Sequence, residues 1–454
     1  MKKIIKNTSI LSLVLFITII ALVNSTQNLI SPNLLAISNY FGFGENITPL
    51  GVLAFSFIIV SGVVMVIFGY LADKITRKWI LLLGSLIYSI SSILTIFVPP
   101  GIIGYYMFFF IMCTIGIAFG AIIPSAFSLI GDLIAQEDRS KGLSFFSLAS
   151  LFGIVLGIGI GTVAGAIDWR ISYLIVGIMG LITASIVLFF KEPSRIGKDY
   201  FDLLEKSAID YSYRIKKSDL KVIFKKKSNV WLIINFVDTI PTGIILFLLF
   251  AYMEDYHNLT GTTPLTLLMI ALLSTLIGTI IFGIIGDNQF KKGNKKARVK
   301  LALIGNLVPI PFVFIALMIP FRAPNNATLA EAFLIPGFLI MVILFAIGLF
   351  INGAVNGNWY ATVVDLNLPE HRGTTLSTAN FFDIFGRALG PLIGAIIADS
   401  FGFLYGMMIS IVFWIFIPLF WIPVLKNVIP EMEATDKIFL ERLNKLKSQK
   451  INRQ

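Results

Sequence analysis

The sequence predicts an all-helical integral membrane protein with twelve transmembrane helices, built as two six-helix repeats. Of its 454 residues, 57% are hydrophobic and only 13% are charged, a composition far from that of soluble domains. Twelve apolar runs have about the 20 residues that are needed to cross a bilayer. A pattern of charged residues and glycines occurs twice with the same spacing, which indicates that the second six runs repeat the first six.

The repeated pattern is an acidic and basic cluster followed by glycines. Every member of its second copy lies 233 positions after its counterpart in the first. The two copies are Asp132, Glu137, Arg139, Gly153, Gly157 and Gly161, and Asp365, Glu370, Arg372, Gly386, Gly390 and Gly394. A shorter pair, Gly69 with Asp73, recurs 214 positions later as Gly283 with Asp287. Internal repeats of this kind are typical of secondary transporters, whose substrate site lies between the repeats.

The apolar runs define the predicted helices and the division of the chain. They fall near 8–27, 48–72, 79–98, 103–131, 142–166 and 171–190, and near 229–253, 264–286, 299–320, 333–362, 373–398 and 402–425. We therefore predict a first six-helix bundle over 1–190, a linker over 191–228, a second bundle over 229–426 and a tail over 427–454. The first run has no small-residue cleavage site after it, so we interpret it as helix 1 and not as a signal peptide.

The distribution of lysine and arginine predicts the orientation. The N-terminus, the loop with Arg77 and Lys78, the stretch 291–300 and the tail are basic, and all of them lie on one face of the predicted bundle. The positive-inside rule makes this face cytoplasmic, so we expect a multi-pass plasma-membrane protein with both termini in the cytoplasm. Topology and anionic lipid account for the net charge of +11. No nucleic-acid partner is expected, and we predict a monomer.

The sequence offers no catalytic, metal or cofactor site. Cys113 is the single cysteine, so no disulfide or cysteine metal site can form within one chain. His257 and His371 are too few and too far apart for a ligand cluster, and we interpret both as loop residues. The linker contains amphipathic stretches at 200–206 and 220–227, which we interpret as short interfacial helices on the cytoplasmic side.

The segment from Gly69 to Lys78 resembles the signature between helices 2 and 3 of the major facilitator superfamily. It contains Gly69, Asp73, Arg77 and Lys78, although Thr76 stands where the family has a glycine. We expect Gly69 to allow close approach of a neighbouring helix. The resemblance implies that this loop, repeated at Asp287, is a latch that holds the two halves together when the cytoplasmic side is closed. The alternative is a role in topology and in ending the helix.

The acidic and basic cluster after helices 4 and 10 is the second predicted gating element. Its members are Asp132, Glu137, Arg139, Asp365, Glu370 and Arg372. Carboxylates and guanidinium groups at this spacing can bridge helix ends by charge-assisted hydrogen bonds. We expect them to act in gating and not in substrate chemistry.

Polar residues inside the apolar runs are concentrated in the second half. A charged group at mid-helix costs about 2.5–3.5 kcal/mol on insertion scales, so it persists where it is paired or faces a polar cavity. The helical spacing predicts two polar faces, Asn235, Asp238 and Thr242 in helix 7 and Asn380, Asp383 and Arg387 in helix 11. Helix 10 adds the polar residues Asn352, Asn356 and Tyr360. On the opposite wall, helix 1 offers Asn24, Gln27 and Asn28, whose alternative role is to cap an interrupted helix.

Two interpretations of the charged residues remain open. Arg387 offers a planar fork for a carboxylate or phosphate, and Asp238 or Asp383 could carry a coupling proton. Alternatively, Asp383 and Arg387 lie one helical turn apart and simply neutralise each other.

Three stretches also resemble the Spinster-like branch of the superfamily, whose eukaryotic members move lysolipids and sphingoid phosphates. They are 131–134, 168–170 and 191–195. The aspartate and arginine of that branch in helix 1 are here Thr26 and Gln27, and its acidic residue in helix 4 is absent from 116–120. Met112 and Ile158 replace the arginine and proline that drug/proton antiporters carry, which counts against that class.

We therefore predict a secondary active transporter of the major facilitator type. It would move a small amphipathic or anionic organic solute by alternating access, with proton coupling left open. The alternatives are a transport-inactive membrane receptor or sensor on the same fold, and a lysolipid transporter as the Spinster-like resemblance implies. A membrane enzyme is disfavoured because no motif combines a nucleophile, a base and metal ligands.

Overall fold

A computed structural model describes residues 2–133, 139–190, 217–325 and 327–451. Within these ranges the chain forms helices and short connections without any β-strand. The first half contains helix 1 (Lys2–Gln27), helix 2 (Thr48–Lys74), helix 3 (Arg77–Leu94), helix 4 (Gly101–Leu133), helix 5 (Arg139–Gly165) and helix 6 (Trp169–Phe189). A turn at Ser31–Asn33 and a short helix at Leu34–Tyr40 follow helix 1.

Three of the six spans in the second half are interrupted. Helix 7 consists of Lys227–Ile234, a 3₁₀ turn at Asn235–Asp238, and Thr239–His257; helix 8 is Thr262–Lys291; helix 9 consists of Ala297–Leu307 and Pro309–Met318. Helix 10 consists of Pro336–Asn352 and Ala354–Leu366, helix 11 is Pro369–Phe401, and helix 12 is Phe403–Ile451. Shorter helices lie at Lys217–Lys225 and Leu329–Leu334. The interruptions in helices 7 and 10 lie beside the polar cavity described below.

Eleven of the described spans are long and apolar enough to cross a membrane, and helix 5 adds the shorter apolar stretch Ala149–Gly165. The predicted all-helical architecture of twelve helices is therefore confirmed. We call the membrane face that carries the chain termini the termini face and the opposite one the distal face. Helix 12 continues well into the predicted tail, to Ile451.

The repeated glycines have the same packing role in both halves. A Cβ atom added at Gly153 or Gly157 of helix 5 would collide with backbone carbonyls of helix 1. A Cβ atom at Gly386 or Gly390 of helix 11 would collide in the same way with the backbone of helix 7. Small residues let transmembrane helices approach to backbone contact. Each half therefore has one glycine-packed helix pair, 1 with 5 and 7 with 11.

The halves meet at their distal ends. Helix 2 packs along helix 11, where a Cβ atom at Gly51 would strike Pro391 and Ala395. The Ser31 hydroxyl, in the turn after helix 1, donates to the Phe247 carbonyl of helix 7 at 3.2 Å. These contacts close the distal side of the protein.

The two histidines are not loop residues, and that interpretation was wrong. His257 ends helix 7, where its ring nitrogens lie 2.9 Å from the Tyr252 hydroxyl and from the Phe321 carbonyl oxygen. His371 lies in the first turns of helix 11, is buried, and approaches Asp219 at 3.6 Å. The neighbours of His257 supply hydrogen-bonding groups inside the fold, which makes burial of its polar ring tolerable.

The linker ends in a short helix, and the start of helix 7 that follows it is attached to the rest of the second half by polar contacts. The predicted interfacial helix over 220–227 corresponds to Lys217–Lys225, whereas 191–216, including the predicted helix at 200–206, lies outside the described residues. The buried side chains of Asn229 and Asn367 exchange two hydrogen bonds of 2.9 Å, which join helix 7 to the end of helix 10. The Glu431 carboxylate accepts from the backbone N–H of Lys227 at 2.8 Å and caps helix 7.

Replacing Asn229 by alanine is expected to lower the thermal unfolding midpoint in detergent, because the buried side-chain oxygen of Asn367 loses the donor from Asn229, at a cost of about 1–3 kcal/mol. Asn367→Ala should act similarly, and the double variant should cost less than the sum of the two. Gln289→Ala, at an exposed helical position, is the control and should change little. Fully additive effects would show that the amide pair is not coupled.

Candidate functional site: a polar cavity in the second half

The described residues form a polar cavity of about 380 Å³ inside the second half. Its walls come from helices 7, 8, 10 and 11. The lining residues are Asn235, Asp238, Thr239, Thr279, Val355, Asn356, Gly357, Trp359, Tyr360, Asp383 and Arg387. Six of the sequence-predicted site residues meet here, which are Asn235, Asp238, Asn356, Tyr360, Asp383 and Arg387.

Helix 7 presents its polar residues through the 3₁₀ turn at Asn235–Asp238. The turn changes the register of the helix, so Thr239 lines the cavity, whereas the exposed Thr242 is not among the lining residues. The expected shared face with Thr242 was therefore wrong, because it assumed an uninterrupted α-helix. The Thr239 hydroxyl lies 2.9 Å from the Asp383 carbonyl oxygen and so ties helix 7 to helix 11 at the cavity wall.

Helix 10 is interrupted at Gly353, and this break separates its three predicted polar residues. Asn352 donates to the Gly305 carbonyl of helix 9 at 3.2 Å and is not among the cavity-lining residues. Asn356 and Tyr360, one turn apart beyond the break, do line the cavity. Gly353 packs against the backbone of helix 8, where a side chain would collide with Thr275 and Thr279.

Helix 11 contributes the charged part of the site. Asp383 and Arg387 both line the cavity, and no contact ion pair joins these two described residues. Arg387 is exposed to the cavity. Asn380 accepts a 3.2 Å hydrogen bond from the Tyr360 hydroxyl and lines the adjoining gap towards helix 2. The guanidinium of Arg387 is thus available to a ligand.

A second, small cavity of about 40 Å³ connects Arg387 to the first half. Its first-half lining combines the polar residues Gln27, Asn28 and Ser31 with the apolar residues Ile30, Ala54, Phe57, Ile58 and Met112. Asn24 is not part of it. The Asn24 side chain donates to the Ile20 carbonyl of its own helix at 2.8 Å, and Asn28 donates to the Asn24 carbonyl. Arg387 lines both cavities and therefore lies where the halves meet.

Two carboxylates of the second half that the sequence predicts to act in gating, Asp287 and Asp365, converge on a residue that sequence reasoning missed. Arg298, in the first turn of helix 9, donates to Asp287 at 2.6 Å and also to Asp365. Its guanidinium carbon also lies 4.2 Å from the centre of the Phe290 ring. A partial signal was present in the sequence, since a basic stretch follows Asp287 as Arg77 and Lys78 follow Asp73. The spacing differs, because Arg298 comes 11 positions after Asp287 and Arg77 comes 4 positions after Asp73.

Two predicted gating cations bind helix ends in this conformation. The Arg372 Nε group donates to the carbonyls of Val364 and Asn367 at 3.1 and 3.2 Å, and so closes the end of helix 10. The Lys78 ammonium donates to the Leu188 carbonyl near the end of helix 6 at 2.7 Å. Arg77 is buried at the start of helix 3. The side chains of Asp73, Asp132, Arg139 and Glu370, and the whole of Glu137, lie outside the described part.

The termini-face ends of helices 2 and 11 stand apart. A Cβ atom at Gly69, or at its counterpart Gly283, would have no atom within 4 Å. The expectation that Gly69 lies against a neighbouring helix is wrong for this conformation. Instead, Gly69 borders a gap of about 420 Å³ that Gly62, Met65, Asn380 and Phe381 also line. The distal side is closed while the termini side is open at this point.

One motif of the Spinster-like resemblance has a structural role. Asp168 caps helix 6, and its carboxylate pairs with Arg170 at 2.6 Å, which holds the pKa of the Asp168 carboxyl below its usual range. Arg170 also donates to the Tyr40 hydroxyl at 3.0 Å. The motif therefore fastens the distal loops of the first half. Among the described residues, no group of His, Cys, Asp and Glu could hold a metal ion.

Residues 13–340 match the sequence profile of the Major Facilitator Superfamily. The chain belongs to this superfamily of membrane transporters. It is 30% identical over 199 residues to the protein spinster of Drosophila melanogaster, and 24% identical over 388 residues to a sphingosine-1-phosphate transporter of Danio rerio. The first match covers 42% of this chain and 30% of the fly protein, and the second covers 81% and 71%. The Spinster-like resemblance is confirmed.

Solved structures give the same fold. A bacterial homologue of the human lysosomal transporter Spinster, in an inward-facing and occupied conformation, superposes with a TM-score of 0.74 at 16% identity, over 92% of this chain and 97% of that one. A D-xylose–proton symporter superposes with a TM-score of 0.67 at 16% identity, over 90% of this chain and 97% of that one.

A third sequence relative is spinster homolog 1 of Xenopus tropicalis, at 24% identity. That match spans 74% of this chain and 62% of the Xenopus protein.

Replacing Arg298 by alanine is expected to destabilise the second half, because it leaves two neighbouring carboxylates unpaired. We expect a loss of about 1–3 kcal/mol, most of it at the more buried Asp365, since Asp287 is half exposed and screened by solvent. Arg298→Lys should recover less than half of the loss, because an ammonium lacks the fork that bridges both partners. Thermal unfolding in detergent measures this, with the exposed Lys300→Ala as control. Equal stability of Arg298→Ala and Lys300→Ala would contradict the bridging role.

Proposed function

We propose that this chain is a secondary active transporter that moves a small amphipathic or anionic organic solute by alternating access. The observation that carries the proposal is the position of Arg387, which lines both the polar cavity of the second half and the small cavity shared with the first half. In this family type, the substrate site lies at the repeat interface near the bilayer midplane. A solute bound at Arg387 would contact both halves and respond to their relative motion.

The shape of the molecule supports alternating access. The distal ends are in contact through helices 2 and 11, whereas the same two helices are separated by a gap near the termini face. A rocking motion that closes this gap would open the distal side. The gating role of the charged clusters is part of the proposal, since clusters that bond across the two halves would stabilise one of their relative positions. The Arg298 bridge lies within the second half, where it holds Asp287 and Asp365 together.

The lining chemistry favours an amphipathic cargo. Arg387 offers a bidentate donor for a carboxylate or phosphate, and Asn356 and Tyr360 add neutral hydrogen-bonding groups on the same side. Phe57, Ile58 and Met112 make the facing wall largely apolar. A lysolipid-like cargo is the specific version of this proposal, and the zebrafish relative named as a sphingosine-1-phosphate transporter supports it.

The remaining parts of the proposal concern organisation and location. We propose bundles over 1–190 and 229–426 with a linker and tail between and after them, both termini in the cytoplasm, and residence in the plasma membrane as a monomer. The basic termini-face loops support this orientation. We propose no enzymatic activity and no nucleic-acid partner. A receptor or sensor on the same fold is the second candidate, and a transport assay separates the two.

The direct test is reconstitution in liposomes after a screen of metabolites and lipids for ligands that raise thermal stability. A transporter should exchange the selected ligand across the membrane, whereas a sensor should bind it without exchange. Binding without any flux, in either direction and with or without a pH gradient, would contradict the proposal and favour the sensor.

The two interior carboxylates provide a prediction on coupling. If Asp238 or Asp383 carries a proton, its replacement by asparagine should abolish accumulation driven by a pH gradient but preserve exchange at equal pH on both sides. The matched control is Asp255→Asn, an exposed distal-face carboxylate. Undiminished accumulation in both single variants would exclude proton coupling through these sites.

A double-mutant cycle at helix 11 separates cargo binding from charge neutralisation. If Arg387 holds an anionic group, Arg387→Ala and the double variant with Asp383→Ala should lose ligand affinity equally, and Arg387→Lys should recover poorly. If the two residues only neutralise each other, the double variant should be milder than either single change. Ligand affinity and thermal stability are the readouts, and full recovery of binding in the double variant would exclude the anion site.

A further inference from the structure

A carboxylate of the second half binds the start of a helix in the first half. Asp399, near the distal end of helix 11, accepts hydrogen bonds from the backbone N–H groups of Ile47 and Thr48 at 2.8 and 2.7 Å. The Thr48 hydroxyl also donates to this carboxylate. Thr48 is the first residue of the 27-residue helix 2. Asp399 thus satisfies donors that a helix start leaves unpaired, and its charge lies at the positive end of the helix dipole.

The contact lies above the small cavity that reaches Arg387. Directly below it, the backbone of helix 2 at Gly51 touches Pro391 and Ala395 of helix 11. Pro391 in turn lines the small cavity beside Arg387. Helices 2 and 11 therefore cover this cavity on the distal side, and Asp399 is the charged group that fastens them at the rim.

A bond between the two halves can control their relative motion, whereas a bond within one half cannot. In alternating access each half moves largely as a rigid body, so contacts inside a half persist while contacts across the interface must break. Charge-assisted hydrogen bonds are about twice as strong as neutral ones. The apolar contacts around Gly51 have no comparable directionality, and the Ser31–Phe247 hydrogen bond across the same interface joins two neutral groups. Asp399 therefore makes the charge-assisted contact between helices 2 and 11.

We propose that Asp399 is the latch of the distal gate, which holds helix 2 against helix 11 while the distal side is closed and releases it when that side opens. This inference rests on the alternating access proposed above. The charged clusters predicted from the repeats serve the termini face, whereas this latch serves the opposite one. It has no counterpart in the first half, because the position 233 residues earlier is Ala166.

Cysteine accessibility measures the latch without knowledge of the substrate. Cys113 is first replaced by serine, and single cysteines are then introduced in separate chains as Leu246→Cys in the small cavity and Met65→Cys in the termini-side gap. Labelling rates with a water-soluble maleimide are measured on the full chain in lipid nanodiscs, where both faces are accessible.

Asp399→Ala should raise labelling at Leu246→Cys about tenfold and lower it at Met65→Cys, because loss of hydrogen bonds to a charged group shifts the equilibrium by this order. Thr48→Val removes the hydroxyl donor but keeps the two backbone donors, so it should give a smaller shift in the same direction. Asp399→Glu should largely preserve the original rates. Asp255→Ala, which removes another exposed distal-face carboxylate, should change neither rate.

Three outcomes would overturn the latch. They are unchanged labelling at both reporters in Asp399→Ala and Thr48→Val, a rise at both reporters, which indicates general loosening, and an equal response to Asp255→Ala. Solute flux in liposomes is scored separately. A reciprocal shift in labelling without any flux would retain the latch and reject transport, whereas flux with unshifted labelling would reject the latch alone.

Discussion

The exclusion of uncompensated charge from the bilayer interior is the constraint on which the rest of this structure depends. A charge within a membrane helix persists where it meets water or a partner. Asp238, Asp383 and Arg387 all satisfy this rule by lining one polar cavity. Because Asp383 and Arg387 line the cavity without a contact ion pair between them, the guanidinium retains the capacity to bind a ligand. The chain thus tolerates interior charge at the place where a transporter requires it.

Close helix packing determines which parts of the molecule can move. The repeated glycines bring helix 5 against helix 1 and helix 11 against helix 7 at backbone distance, so each half is stiffened by the same device. Between the halves, helices 2 and 11 touch at the distal end and separate towards the termini face. Two rigid halves that touch at one end of their interface and separate at the other favour a rocking motion over deformation within each half. Residues that bond across this interface, such as Asp399 to Thr48, are those whose contacts would change in the proposed rocking motion.

Periodicity in the sequence was sufficient for the helices, the repeats and most of the cavity, because hydrophobic length and spacing follow directly from helical geometry. It failed where the helix is irregular. The 3₁₀ turn before Thr239 changed the register of helix 7, and the break at Gly353 turned Asn352 towards helix 9. Periodicity also could not predict contacts between residues that are far apart in the sequence. The bridge at Arg298 and the cap at Asp399 depend on tertiary placement, which no local pattern encodes.

Alternating access is the central claim, and interhelical distances test it most directly. Paired spin labels would report two distances across the interface. One joins Met65 of helix 2 to Phe381 of helix 11 near the termini face, and the other joins Glu45, just before helix 2, to Ser400 of helix 11 on the distal face. The account predicts two populations in which the termini-side distance shortens when the distal distance lengthens, with their ratio changed by ligand. A single fixed distance at both positions, unaffected by ligand, would contradict it.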